Sequence, residues 1–164
     1  PTAAPAPGVA AAPPELSAAL PPPAGGWRAW LGRIPELSDV ASSFSPFGPA
    51  AVTQALERGG RTRASVTSWR FAEGPFVWQP APSQRFWVIT GSAASQSLVA
   101  VLTADPVAPR HLASARIAEA GCPIAVGFAA ERPLELLWTT CYGCPGQSGS
   151  IKLSRDGDIV FSYR

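Results

Sequence analysis

From residue 63 onward, short apolar or alternating stretches recur between clusters of Pro and Gly. Strand signal falls at 63–71, 76–79, 85–90, 97–103, 112–117, 123–128, 134–140, 149–154 and 158–163. The breaks between them are Gly74-Pro75, Pro80-Ala81-Pro82, Pro106 to Pro109, and Pro133. Phe86-Trp87-Val88-Ile89 and Leu98-Val99-Ala100-Val101-Leu102 are apolar on both faces, which predicts central strands. Residues 112–120 fit neither period cleanly: Leu112, Ala115, Ile117 and Ala118 leave strand and helix open. Short strands at this spacing predict a mainly β domain over 63–164, an antiparallel β-sandwich (immunoglobulin-like) or a small barrel.

The last hairpin allows a register argument. A two-residue turn at Asp156-Gly157 would pair Arg155 with Asp158 and place Ile159, Phe161 and Tyr163 on the face of Lys152 and Ser154. A three-residue loop, Arg155-Asp156-Gly157, pairs Ser154 with Asp158 instead. Leu153 then faces Ile159 and Ile151 faces Phe161, so the apolar faces join. The expectation is a type I turn with a G1 bulge and Gly157 in the left-handed region.

Upstream the period changes. Trp27, Trp30 and Leu31 stand at i, i+3, i+4, and Leu37, Val40, Ala41 and Phe44 repeat that spacing after Pro35 at a first helical position. Pro49 to Arg58 predicts a further helix, with Val52, Ala55 and Leu56 on one face and Gly59 as its stop. Helices this short are marginal alone and must dock on something. Residues 27–62 thus form a short helical segment. Residues 1–26 contain eight Pro, nine Ala and one charge, Glu15. Such a segment cannot offset its own chain entropy and predicts an extended arm or linker, with polyproline II at Pro21-Pro22-Pro23. Within it, 15–20 could form one or two helical turns after Pro13-Pro14.

Composition narrows the function classes. Thirteen basic and eleven acidic residues in 164 leave a net charge of +2, too small to imply a polyanion, so no nucleic-acid partner is expected. Arg58, Arg61, Arg63 and Arg70 with Trp69 and Phe71 resemble a nucleic-acid surface, but strand alternation sets Arg63 and Arg70 on opposite faces. There is no apolar run long enough for a transmembrane helix. The absence of Met suggests a remnant of a longer product. A small uncharged Pro/Ala segment of the kind that follows a removed signal or membrane anchor leads to the expectation of an extracytoplasmic location, periplasmic or secreted, with the cytoplasmic side of a membrane complex as the alternative; three cysteines add little to it.

Those cysteines, Cys122, Cys141 and Cys144, carry the one motif with a chemical mechanism, Cys141-Tyr142-Gly143-Cys144. They are first of all disulfide candidates. A bridge from Cys122 would close a loop of about 20 residues, worth about 3 kcal/mol in the chain-entropy model. A second reading is redox. The string Trp138 to Pro145 resembles a thioredoxin-type site, but Pro145-Gly146-Gln147-Ser148-Gly149 cannot open the helix that such a site needs, and no role is carried over. The third is zinc, with Cys122, Cys141, Cys144 and the lone His111 as a Cys₃His set of non-standard spacing. No resident cofactor is implied. Gly146-Gln147-Ser148-Gly149-Ser150 lacks the last Gly of a nucleophile elbow, and Asp105, the acid nearest His111, sits across two prolines.

Six Trp are the more unusual feature. Trp87 and Trp138 lie among strand aliphatics and are expected in the core, and Trp78 at an edge or loop. Trp27 and Trp30 either pack back on the sheet or face a partner, since Trp is enriched at interface hot spots and membrane boundaries. The resulting expectation is a non-enzymatic accessory subunit. It docks through its arm and Trp-rich segment, by Leu16, Leu20, Trp27, Trp30 and Leu31, onto a protein partner in a larger assembly, a membrane complex among the candidates. A zinc- or thiol-dependent protein and an exported ligand- or glycan-binding module are the alternatives.

Overall fold

The computed structural model describes residues 15–16, 20–47, 70–72, 74–94, 96–117, 124–128, 134–140 and 148–163. It is mainly β, with two antiparallel sheets and short helices. The strands are β1 (Glu15–Leu16), β2 (Ser45–Pro46), β3 (Arg70–Ala72), β4 (Phe76–Ala81), β5 (Gln84–Ala93), β6 (Gln96–Thr103), β7 (His111–Ile117), β8 (Ile124–Phe128), β9 (Glu135–Thr140), β10 (Ser148–Leu153) and β11 (Ile159–Tyr163). Helix α1 is Gly26–Gly32 and α2 is Ser38–Ala41. The first sheet runs β1-β4-β5-β6-β7, with β2 also on β5, and the second runs β11-β10-β9-β8-β3.

The sandwich core lies between the sheets. Alternation sends Phe76 and Trp78 of β4, Val88 of β5, and Val99 and Val101 of β6 inward. There they meet Ile124, Val126, Leu136, Trp138, Ile151 and Leu153 of the second sheet. Trp78, expected at an edge or loop, is fully buried in this layer. Consecutive strands β4 to β7 are neighbours in one sheet and β8 to β11 in the other. Each of these runs is a meander, while β3, which precedes β4 in sequence, lies beside β8 in the second sheet, so the chain exchanges sheets between β3 and β4 and again between β7 and β8.

The other face of the first sheet is equally apolar: Ile89, Ala93, Leu98, Ala100 and Leu102 point away from the sandwich core. Trp27, Trp30, Leu31, Ile34, Leu37, Val40, Ala41 and Phe44 cover it. The part of the helical segment from Trp27 to Phe44 is thus a third layer against the first sheet. Its buried positions follow the i, i+3, i+4 spacing of the sequence, which gives two short helices one continuous apolar stripe. Pro35 is not the first residue of α2: the helix begins at Ser38, and Leu37, at φ −120°, breaks the helical path before it. From Phe44 in the outer layer the chain crosses the sheet edge as β2 and delivers Phe47 to the sandwich core. Gly91 makes this crossing possible, because a Cβ there would sit 2.5 Å from the Phe44 ring and closer still to the Ser45 carbonyl oxygen.

The hairpin of β10 and β11 has the expected register, with Ile151 opposite Phe161 and Leu153 opposite Ile159. Ser154 N–H donates to Asp158 O at 2.8 Å, Gly157 N–H donates to Ser154 O at 3.1 Å, and Gly157 has φ +86°. Joining the two apolar faces decided the loop length. Residues 111–117 are strand. A register shift opposite Val101 and Leu102 gives β7 one extra residue, which explains why its sequence fits neither period. The helix expected at Pro49 to Arg58 lies outside the described residues. No described helix is long and apolar enough to cross a membrane.

Candidate functional site

The densest polar cluster with described side chains lies where the helical layer meets β7. Strand alternation would place His111 and Ser114 on opposite faces. The irregularity in β7 puts both on the outer one, with Arg116. His111 Nε2 and Ser114 Oγ are 2.9 Å apart, and His111 Nδ1 lies 3.9 Å from Glu36 Oε2. Arg116 donates to both Asp39 carboxylate oxygens, at 2.6 and 2.8 Å, and to Glu36 O at 2.9 Å. Glu36 and Asp39 flank the turn into α2, so the cluster fastens that turn to the edge of the sheet.

Burial holds the His111 imidazole below its ordinary value. Glu36 pulls it up and Arg116 pushes it down. The ring is therefore neutral in neutral solution, with one nitrogen toward a hydroxyl and the other toward a carboxylate. Ser, His and acid stand in the order of a nucleophilic triad. Glu36 is beyond hydrogen-bond distance, however, and a local i, i+3 contact across the bulge accounts for the Ser114 bond. Asp39 is held below the usual carboxylate range chiefly by the hydrogen bonds from Arg116, whose own guanidinium is pushed up by the same contact.

Beside the cluster, residues 104–110 form a braced loop. Asp105 does not approach His111. Its Oδ1 accepts from the backbone N–H of Ala108 and Val107, which lowers its pKa. Trp30 Nε1 donates to Pro106 O at 2.9 Å, tying loop to helical layer. Arg33 adds longer bonds of 3.4 Å to Pro106 O and Val107 O.

The residues expected to meet a partner are placed differently. Trp30 and Leu31 are fully buried and Trp27 nearly so, all against their own sheet. Trp30 lies 5.2 Å from Trp87 and 5.6 Å from Trp27, between ring centroids. They are not a free surface, because the second apolar face of β5 and β6 needs a cover and they supply it. Leu20 is half-buried against the same layer, and Leu16 is in β1 at the sheet edge. Cys122, Cys141 and Cys144 lie outside the described residues, as do Arg58, Arg61, Arg63 and Trp69. Among the described residues no group of three His, Cys, Asp or Glu is arranged to hold a metal ion.

Of the polar cluster, sequence reasoning singled out only His111. Arg116 and Asp39 are 77 positions apart, and no local pattern signals their pairing. No family model, no curated protein and no solved structure matches this chain.

Proposed function

We propose that this chain is a non-enzymatic binding or accessory module that docks onto a larger protein assembly through its N-terminal arm. The observation that carries the reading is the seating of β1. Glu15 and Leu16 of the arm pair with Gln79 and Trp78 of the chain's own β4, a contact that supports strand addition to a sheet edge as the arm's mode of docking. That mode supplies affinity through backbone hydrogen bonds and suits an arm with little charge and no core of its own. The docking element is the stretch before Leu20, because Trp27, Trp30 and Leu31 are held within the domain.

The test is a deletion that stops short of the helical layer. Removing residues 1–19 should reduce partner capture at least about tenfold, a loss of about 1.4 kcal/mol of binding. The unfolding midpoint in urea should stay near that of the intact chain. Undiminished capture by the shortened chain would refute arm docking.

A further inference from the structure

We infer that the loop of residues 104–110 is a membrane-surface anchor, whose apolar tip enters an anionic lipid interface while Arg33, Arg85 and Arg110 meet the lipid phosphates. The contact uses no residue of the arm and does not rest on arm docking. Pro106, Val107 and Ala108 are exposed in succession. Val107, at 77%, is the most exposed large apolar side chain among the described residues. The tip is nevertheless held firmly. Trp30 Nε1 and Arg33 donate to Pro106 O, Arg33 donates also to Val107 O, and Asp105 Oδ1 accepts from the N–H groups of Val107 and Ala108. At the base of the loop Thr103 N–H donates to Arg110 O at 2.9 Å, and Arg110 N–H donates to Thr103 Oγ1 at 2.8 Å. A loop fixed at both tip and base loses little freedom when it binds.

Positive charge surrounds this tip. Arg33 lies against its two carbonyls, and Arg110 closes the loop. Arg85 precedes Phe86, the strand partner of Thr103, and so stands at the same end of the first sheet. All three are exposed, and among the described residues none of them joins an ion pair. Of the acids on the first sheet and the helical layer, Asp105 caps its own loop, Asp39 holds Arg116 and Glu36 faces His111; Glu15 is on β1, beyond β4 from Arg85. An uncharged tip inside a collar of unpaired cations fits an anionic interface, which buries the apolar group and attracts each arginine near its surface. A specific protein interface takes about 800 Å² from each partner, far more than Pro106, Val107 and Ala108 present.

The experiment sediments the full chain, at low ionic strength, with vesicles of phosphatidylcholine alone and of phosphatidylcholine mixed with phosphatidylglycerol. The wild type should bind the mixed vesicles and not the neutral ones, and added salt should weaken the binding. Arg33→Gln with Arg110→Gln should lower the partition constant by about fivefold per arginine. At unchanged charge, Val107→Leu should raise it about fourfold and Val107→Ser should lower it about tenfold. The side chain at 107 is exposed, so both variants keep the fold. A wild type that ignores the mixed vesicles overturns the inference. So does equal binding by the two Val107 variants, which is adsorption through net charge alone. The chain without residues 1–19 should bind vesicles as the intact chain does. Vesicle binding lost on that deletion overturns the loop anchor and leaves arm docking to its own test, whereas vesicle binding retained with undiminished partner capture does the reverse.

Discussion

Trp30→Ala tests whether the helical segment is a layer of the core. Trp30 is fully buried, packs on Trp27 and Trp87, and hydrogen-bonds Pro106 O across 76 residues. Truncating a buried Trp to Ala costs about 3–5 kcal/mol through lost transfer energy and the cavity left behind. Trp30→Phe keeps much of the ring and removes the N–H, for a smaller loss of about 1–2 kcal/mol. For a domain of this size 1 kcal/mol moves the melting temperature by about 2–4 °C, so the Ala variant should melt about 10 °C lower. Urea unfolding followed by far-ultraviolet circular dichroism measures the loss without relying on the deleted fluorophore. Val107→Ala is the control, since Val107 is 77% exposed and should change stability by less than about 0.5 kcal/mol. If Trp30→Ala matched that control, the segment would be an appendage and the three-layer account would be wrong.

Three further outcomes are expected. Gly91→Ala should cost about 2–3 kcal/mol, because its Cβ meets the Ser45 carbonyl and the buried Phe44 ring; an unchanged urea midpoint would show that β2 yields freely. Gly157→Ala should cost about 1 kcal/mol, since φ +86° strains any residue with a Cβ; thermal melts that overlay the wild type would contradict the bulged turn. Burial lowers the His111 pKa in the fold, so the contribution of the neutral imidazole to stability is complete above about pH 6.5 and is lost as pH falls below it. His111→Gln should flatten the decline in unfolding free energy between about pH 7 and 5. An equally steep decline in the variant would assign the proton uptake elsewhere.

Much of the sandwich was legible because its signals are local. Two-faced apolar runs marked β5 and β6 as central. The need to join Ile151 and Leu153 with Phe161 and Ile159 fixed the last hairpin, down to the left-handed Gly157. The helical spacing of Trp27, Trp30 and Leu31 gave α1, and that of Val40, Ala41 and Phe44 gave α2 less cleanly, since Pro35 pointed to a start that Leu37 does not permit. The polar cluster was almost wholly hidden. His111 and Ser114 share a face through a bulge, and bulges break the alternation by which faces are read. Arg116, Glu36 and Asp39 meet only because the helical layer folds back on the sheet.

Sequence by itself determined the period of each segment, the positions where the chain must turn, and the demand for a cover on both sides of β5 and β6. Only the tertiary structure decided what provides that cover. Periodicity says that Trp27 and Trp30 need an apolar surface and that Leu98, Ala100 and Leu102 offer one, but hydrophobic burial is non-directional and names no partner. The chain's own third layer supplied it. The same fold holds the Trp pair inside the domain and seats the short strand of the arm on the edge of β4.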